Sequence, residues 1–282
     1  MVIYISLRGF KVLYMIISKL FYKIESKIVN VRLNFNELSG FLTRDNRDSL
    51  TVKYLSKTVT NRDKHPSITA VYRVKNGATF IELSILSVAA LCREIIIVDN
   101  GSTDSTLLIV EKLKNELKDV CEIKIFHYTE QVALAGDKYY DEVKKYPARS
   151  LATYYNYAFS LATSDFVMKC DAHCIYTPAG INKIQSKLIS LYNYTDVISF
   201  RGIEVFGAIL SCEPYLIRKD SFEYCDSVFF EVLKLKNKRT LLQKIMSRIS
   251  MPCFIHVKRL SYIKTIHMSN LSPVEYLYKN DS

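Results

Sequence analysis

Short runs of apolar residues alternate with amphipathic helical patterns from residue 66 onward. The apolar runs predict strands over residues 67–73, 94–98, 122–128, 165–170 and 197–206. The segments between them predict helices over residues 79–91, 106–117, 149–161 and 178–192. Strands that are apolar throughout are typical of a parallel sheet covered by helices on both faces. The pattern therefore predicts an α/β fold with a mostly parallel sheet for residues 66–282.

Both ends of the chain lack this alternation of strands and helices. Residues 1–65 form a predicted basic N-terminal extension that ends before Pro66, because the residue preceding a proline disfavours helix. Within it, residues 10–24 predict a helix with a wide apolar face and its lysines on the other side. Residues 241–249 carry a second apolar stripe beside basic residues. Either the two elements lie on an anionic membrane surface, or they pack on the domain with their charges in water.

Composition indicates a globular protein, since 49% of the 282 residues are hydrophobic. No stretch of about 18 uncharged apolar residues occurs, and the N-terminus lacks the small-residue cleavage site of a secretory signal. The seven cysteines are irregularly spaced and include no CxxC pair, so they indicate neither a disulfide framework nor a zinc knuckle. We therefore expect a cytoplasmic protein, either free or peripheral on the inner face of a membrane.

The net charge of +11 is unevenly distributed along the chain. Residues 1–65 carry +7 and residues 232–282 carry +8, whereas residues 66–231 carry −4. A nucleic-acid binder is expected to have its basic surface on the folded core, so we expect no nucleic-acid partner. The alternative, suggested by the net charge and the 20 tyrosines, predicts salt-sensitive binding to arbitrary DNA.

Acidic and imidazole side chains follow the predicted strands. Asp171 and His173 end the strand over 165–170 and project to the same side, because strand side chains repeat every second residue. A carboxylate and an imidazole suit a divalent metal. The alternative is an aspartate in a turn and a half-buried histidine bonded to backbone. Asp99 begins a second acidic loop, and ligands of doubly wound sheets bind beyond such strand ends. Neither GxGxxG nor a phosphate-binding GxxxxGK[ST] loop follows the first strand, so no glycine cradle is expected.

Three segments resemble one family. The first strand leaves through YRVKNG at 72–77, VDNGSTDST follows at 98–106, and the helix SLATYYNYAFSLATSD at 150–165 precedes the strand that ends at Asp171. In this order they resemble the GT-A fold nucleotide-sugar glycosyltransferases, particularly family 2. The resemblance implies a GT-A domain over 66–282. Its nucleotide-sugar half would cover 66–180, and its acceptor half with a basic C-terminal region would cover 181–282.

The resemblance also implies roles for individual residues. Asp99 would accept hydrogen bonds from the uracil or ribose of a UDP-linked donor near Tyr72, and Asp104 would be a turn residue and helix cap rather than a ligand. The donor site would be formed by Tyr72, Arg73, Asn76, Asp99, Arg149 and Asp171. Mn²⁺ or Mg²⁺ would be held by Asp171, His173 and His256.

Two parts of that metal site differ from the family's pattern or have rivals. Family 2 enzymes usually have a second acid where this chain has His173, although the Asp-x-His pattern resembles the polypeptide N-acetylgalactosaminyltransferases. His267 is the rival to His256, and a lone histidine on an apolar strand is also typical of a core.

A carboxylate must also accept the proton of the acceptor hydroxyl in an inverting transfer. In the family this base lies at the start of a helix after a strand and a basic turn. Asp226 fits this position, because residues 215–219 are expected to form the strand and turn and residues 227–235 the helix. Glu231 and Glu223 are the alternatives for the base. Each of the three also suits a solvated helix end.

The leading hypothesis is a metal-dependent, inverting hexosyltransferase. It would move a sugar from a UDP-linked donor to a glycan or lipid-linked acceptor in surface polysaccharide or glycoconjugate synthesis. The alternative is a catalytically inactive relative that acts as a scaffold or binding protein, which the missing second acid favours.

Overall fold

The computed structural model describes residues 66–204 and 208–258. Within these ranges the strands are β1 (Ile68–Val74), β2 (Glu94–Asp99), β3 (Glu122–His127), β4 (Phe166–Cys170), β5 (Cys174–Tyr176), β6 (Val197–Glu204), β7 (Glu213–Arg218), β8 (Phe222–Asp226), β9 (Glu231–Leu235) and β10 (Arg248–His256). The helices are α1 (Ile81–Ala89), α2 (Thr106–Glu116), α3 (Tyr139–Lys145), α4 (Leu151–Ser160), α5 (Pro178–Leu191) and α6 (Leu241–Met246), with a short 3₁₀ turn at Pro147–Arg149.

The described strands form an eight-stranded sheet in the order β3-β2-β1-β4-β7-β6-β10-β5, and β8 and β9 form a separate hairpin. The pairs β1–β2, β2–β3, β1–β4 and β6–β10 are parallel. The pairs β4–β7, β6–β7 and β5–β10 are antiparallel. The predicted α/β fold with a mostly parallel sheet is confirmed.

The order of the strands places a topological switch point between β1 and β4. After β1 the chain adds β2 and β3 on one side, and it then returns to add β4 on the other side. Such a point leaves a crevice beyond the carboxyl ends of the two strands, where open α/β sheets bind their ligands. The register pairs Val74 with Asp99 and Tyr72 with Cys170, so the ends of β1, β2 and β4 share one edge.

The sheet has an apolar core on each face. On one face α1, α2 and α5 cover residues such as Ile85, Ile97 and Phe254. On the other face α4 and the β8–β9 hairpin cover a second cluster that includes Val98 and Phe159. Each fully buried side chain of this size contributes about 1.5–3 kcal/mol to stability. The two cores hold the strand ends in fixed positions.

Most predicted elements are confirmed, with ends that differ by a few residues, but the helix predicted over 227–235 is wrong. Residues 222–226 and 231–235 pair as an antiparallel hairpin, in which Asp226 lies opposite Glu231. Phe222, Tyr224 and Leu233 alternate along these strands and pack in the α4-side core. Burial of every second residue favours a strand, which overrides the helical propensity of FFEVLKL.

Three further elements differ from the sequence prediction. Helix α3 and strand β5 were not predicted, because each is short. The apolar stripe over 241–249 does not form one element. Its members Leu241, Leu242, Ile245 and Met246 lie in α6, whereas Ile249 is buried in β10.

Some predictions fall on other parts of the chain. The amphipathic helix over 10–24 and His267 lie outside the described residues. Among the residues that the structure describes, no helix combines the length and apolarity needed to cross a bilayer.

Candidate active site

The loops after β1 and β2 are tied together at the sheet edge. Asn76 has a left-handed backbone (φ 56°), and its side-chain oxygen accepts a hydrogen bond from the Thr103 N–H at 2.8 Å. The N–H groups of Asn76 and Gly77 donate to the hydroxyls of Ser102 (2.9 Å) and Thr106 (2.8 Å). A Cβ on Gly77 would lie 2.8 Å from the Val74 side chain, so glycine is required at this crossing. The YRVKNG and VDNGSTDST segments therefore act as one structural unit.

The two aspartates of the second loop organise its turns. Asp104 accepts hydrogen bonds from the backbone N–H groups of Thr106 (3.0 Å) and Ala78 (3.1 Å), as expected for a turn residue at a helix start. Asp99 is 3% exposed, and its carboxylate accepts from the N–H groups of Gly101 and Ser102, each at 3.1 Å. Both hydrogen bonds lie within the loop itself. The predicted role of Asp99 toward a uracil or ribose stays a prediction.

Arg73 and Asp171 form an ion pair where β1 and β4 end. One terminal nitrogen of Arg73 lies 3.0 Å from Asp171 Oδ1, and the guanidinium lies 3.6 Å from the centre of the Tyr155 ring. The Arg73 side chain is 3% exposed, whereas Asp171 is 32% exposed. Burial disfavours the charged form of Asp171, but the nearby charges of Arg73, Lys169 and His173 hold its pKa below the ordinary value. Burial also works against the cation at Arg73, yet Tyr155 and Asp171 raise its pKa.

The remaining donors of Arg73 lack partners. Its Nε and Nη1 atoms are buried and make no hydrogen bond to any residue of the described ranges. A buried donor without a partner costs about 1–3 kcal/mol. An arginine in this position suits an incoming anion.

A cleft of about 380 Å³ opens at this point. Basic and polar groups in its lining include Arg73, Lys75, Asn76, His173 and Lys258, with Asp171 as the acid. The volume falls within the range typical of ligand sites, and the cleft lies beyond the carboxyl ends of β1 and β4. Its excess of positive charge suits a phosphorylated ligand.

Two imidazoles converge beside the cleft. The rings of His173 and His256 are 4.6 Å apart at an angle of 89°. The possible ligand atoms of His173, Cys174 and His256 all lie within 4.8 Å of one another. Burial lowers the pKa of His173 to about 4, so its ring is neutral at pH 7 and has a lone pair to donate.

Glu204 holds one of these imidazoles. Glu204 Oε2 lies 3.1 Å from His256 Nδ1, and the two residues are partners in the parallel β6–β10 ladder. A carboxylate on one ring nitrogen fixes the tautomer and leaves the other nitrogen free to bind a metal. An imidazole held in this way, together with the neutral ring of His173, suits a divalent cation. His173 and His256 would bind it with either Asp171 or Cys174, and Cys174 was missed because its sequence context indicates only a small buried residue.

The candidate base acids differ in their surroundings. The Asp226 carboxylate accepts hydrogen bonds from the hydroxyls of Tyr139 and Ser150, the latter at 2.7 Å, and from the Ala152 N–H at 3.3 Å. It therefore joins the hairpin to the start of α4, where a negative charge is favourable. Glu231 instead lies close enough to Tyr155, the residue that stacks on Arg73, for its charge to raise the pKa of that hydroxyl. The third candidate, Glu223, is exposed on β8.

Three residues predicted for the donor site do not line the cleft, and Asp99, whose carboxylate is bound within its own loop, is one of them. Tyr72 is completely buried in the core, and its hydroxyl lies 3.1 Å from Ser84 Oγ. Successive strand side chains point to opposite faces, so Arg73 and Tyr72 cannot both face the site. Arg149 lies 3.3 Å from Glu142 and stacks over Tyr146, away from the residues that line the cleft.

Comparison with known proteins gives the class. Residues 69–137 match the model of Glycosyl transferase family 2. This segment holds β1, the VDNGSTDST loop and β3. The match falls on the segment whose motifs resemble family 2 glycosyltransferases, and it agrees with the glycosyltransferase class that those motifs predicted.

Solved structures provide distant likenesses. TarS of S. aureus (residues 1–349) is 12% identical with a TM-score of 0.44, and the alignment covers 74% of this chain and 68% of that one. The mannosyltransferase PcManGT from Pyrobaculum calidifontis, in complex with GDP-Man and Mn²⁺, is 17% identical with a TM-score of 0.37, over 56% of this chain and 46% of that one. Glucosyl-3-phosphoglycerate synthase from Mycobacterium tuberculosis, in complex with Mn²⁺, UDP and phosphoglyceric acid, is 15% identical with a TM-score of 0.34, over 55% and 47%.

This chain thus spans about half the length of the mannosyltransferase and the synthase. Comparison with curated proteins gives no match.

Proposed function

We propose that the protein is a metal-dependent transferase that moves a sugar from a nucleotide-sugar donor, UDP-linked, to a glycan or lipid-linked acceptor with inversion. The main support for this proposal is the environment of Arg73. A buried guanidinium with two unpartnered donor atoms lines a basic cleft at the switch point of the sheet. A diphosphate placed there would provide the acceptors that these donors lack.

In this proposal, different residues around the cleft bind the phosphates, the nucleoside and the metal. Arg73, Lys75 and Lys258 would bind the phosphates, since all three line the cleft. The paired loops would place the nucleoside against Asn76, whose backbone is fixed by Ser102 and Thr103. His173 and His256, with Asp171 or Cys174, would hold Mn²⁺ or Mg²⁺. When bound, such an ion acts as a Lewis acid toward the developing charge of a leaving diphosphate.

Glu231 is the base in this proposal. Its charge acts on Tyr155, the aromatic residue that contacts Arg73, whereas the Asp226 oxygens already accept from Tyr139 and Ser150. A carboxylate with accessible lone pairs can take the proton from an acceptor hydroxyl as that oxygen attacks the sugar carbon. The hairpin β8–β9 would thus carry the acceptor side of the site.

The metal and donor site is tested with Asp171→Asn. The variant should lose Mn²⁺-stimulated release of UDP from UDP-sugars, because it removes the charge that faces both Arg73 and the two histidines. Asp119→Asn is the matched control, since Asp119 is exposed after α2. Release of UDP that is unchanged in Asp171→Asn would remove this site assignment. Donor binding by the wild type without hydrolysis or transfer would instead favour the inactive binding protein.

A further inference from the structure

Arginines gather on the acceptor half of the sheet, away from the cleft. The β6–β10 ladder pairs Ser199 with Arg248 and Arg201 with Pro252. The β6–β7 ladder pairs Phe200 with Glu213, which places Cys212 beside Arg201. Arg201, Arg248 and Arg239 all lie close enough to Cys212 for their charges to interact with its thiol. Three arginines therefore lie near one thiol.

The charges of Arg239 and Arg248 are not neutralised. Within the described ranges neither residue forms an ion pair, and the Nε atom of each is buried without a hydrogen-bond partner. The acid next to Cys212, Glu213, lies 3.9 Å from Lys169 and accepts from Ser211. Residues 232–258 contain seven basic residues and no acidic one. Partly buried cations are costly without a counter-charge, so this cluster suits an anion.

Helix α6 lies between the two arginines in the chain and exposes apolar side chains beside them. A capping box of Thr240 and Gln243 fixes its start. Leu242 is 56% exposed and Ile245 51%, and Leu241, Met246 and Met251 are exposed as well. Exposed apolar residues next to cations are the arrangement by which a protein binds the interface of an anionic bilayer. A soluble anion would explain the arginines but not these apolar side chains.

We propose that Arg239 and Arg248 bind the phosphate of a membrane lipid, while Leu242 and Ile245 of α6 enter the interface of the bilayer. The phosphate would neutralise the charge of the two guanidiniums. The inference deepens the proposed function, because it would hold the transferase beside a lipid-linked acceptor. Lipid binding itself requires neither donor nor metal, so it can be tested separately from transfer.

The test is co-sedimentation of the full chain with vesicles of phosphatidylglycerol and phosphatidylcholine, and with phosphatidylcholine alone. Arg248→Gln should weaken binding to the anionic vesicles about fivefold, the factor expected for one cation at such a surface. Arg239→Gln should act similarly, and the double variant should lose about 25-fold. Leu242→Gln should weaken binding as well, because it removes apolar surface from the interface.

Two controls match these changes. Arg93→Gln removes an exposed arginine elsewhere, and Leu108→Gln replaces a leucine that is 74% exposed on α2; both should bind as the wild type. Residues 1–30 stay in every variant, so that any binding by the N-terminus is common to all. Thermal unfolding shows whether each variant is folded, and Arg239→Gln carries the test if Arg248→Gln does not fold.

The outcomes separate the two sources of phosphate. If the arginine variants bind vesicles as Arg93→Gln does, the proposal is overturned. It is also overturned if inorganic phosphate binds and protects the wild type in thermal unfolding while anionic vesicles do not bind. Release of UDP from a soluble donor should be unchanged in Arg248→Gln, so a loss of lipid binding is distinguishable from a failure of the transferase assignment.

Discussion

At the scale of single residues, Asp226 and Glu231 form the pair next to the turn of the β8–β9 hairpin, but their surroundings differ. Asp226 accepts from Tyr139, and burial together with this hydrogen bond raises the pKa of Tyr139 to about 12. The hydroxyl therefore remains a donor at neutral pH. The charge of Glu231 acts instead on Tyr155, the residue that stacks on Arg73. We therefore expect Asp226 to stabilise the hairpin and Glu231 to be available as the base.

The two acids give opposite predictions. Glu231→Gln should lower kcat for sugar transfer by about 10²–10⁴-fold, the usual contribution of a general base, with little change in the Kd of the donor. Steady-state kinetics and donor titration measure the two quantities. Asp226→Asn should keep most of kcat but lower the free energy of unfolding by about 1–3 kcal/mol, because it weakens the bonds from Tyr139 and Ser150. The reverse result would assign the base to Asp226.

Glu204 is predicted to act through His256. Glu204→Gln should weaken Mn²⁺ binding about 10–100-fold, the range typical when the partner of a metal-bound histidine is lost. Titration of Mn²⁺ by electron paramagnetic resonance measures this without any turnover. Glu223→Gln, an exposed acid on β8, is the control. Loss of affinity in His256→Ala but not in Glu204→Gln would contradict the role of Glu204, whereas no loss in either would remove His256 from the metal site.

At the scale of elements, Glu94 joins the beginning of β2 to two neighbours. Its carboxylate accepts from Thr69 Oγ1 (2.7 Å), Lys124 Nζ (2.7 Å) and the Thr163 N–H (3.1 Å), and the residue is 2% exposed. Burial works against the charge, but the contacts with Lys124, Thr69 and Thr163 hold the pKa of Glu94 below its ordinary value. The network fixes β1, β2 and β3 at the edge opposite the cleft.

The lowered pKa predicts the sign of a pH effect on stability. A carboxyl that binds its proton less readily when folded contributes stability above its unfolded pKa, and this contribution is lost as the pH falls through the folded value. Glu94→Gln should therefore lower the free energy of unfolding by about 1.5–3 kcal/mol at neutral pH, with a smaller difference from the wild type well below pH 4. Urea unfolding at several pH values measures it.

Glu122→Gln is the control for Glu94, since Glu122 also contacts Lys124 (3.2 Å) but is 65% exposed. Its effect should stay below about 1 kcal/mol, as for other surface ion pairs. An equal loss in both variants would mean that Lys124, rather than the buried carboxylate, accounts for the stability of this corner.

At the scale of the whole molecule, the uneven charge predicts a salt-dependent association with anionic vesicles. Residues 1–65 carry +7, and the helix predicted over 10–24 adds an apolar face. Deletion of residues 1–30 should weaken flotation with anionic liposomes, and higher salt should weaken it further, because the screening length falls to about 8 Å at physiological ionic strength. Binding that is unaffected by the deletion would leave α6 and its arginines as the surface that contacts lipid.

Much of the donor half could be predicted from local patterns. The apolar runs before Asp99 and Asp171 identify two strands, and the sequence after each strand identifies the loops at one edge. Positions within a loop are close in sequence, so the turn at Asp104 needs no tertiary contact to be recognised. The neighbours Tyr72 and Arg73 show the limit of this reasoning. Alternation predicts that they face opposite sides, but it does not tell which side is the core.

The sequence by itself determined the fold class, the order of most elements, the resemblance to family 2 glycosyltransferases and the strand ends that precede Asp171 and His173, because each depends on short-range patterns. Only the tertiary structure decided which distant groups meet. Glu204 and His256 are 52 residues apart, and Tyr139 and Asp226 are 87 apart. The hairpin around Asp226 formed in place of the expected helix because Tyr224 and Leu233 bury against α4. Burial against a partner surface can outweigh the local preference of a short segment, and that surface exists only once the chain has folded.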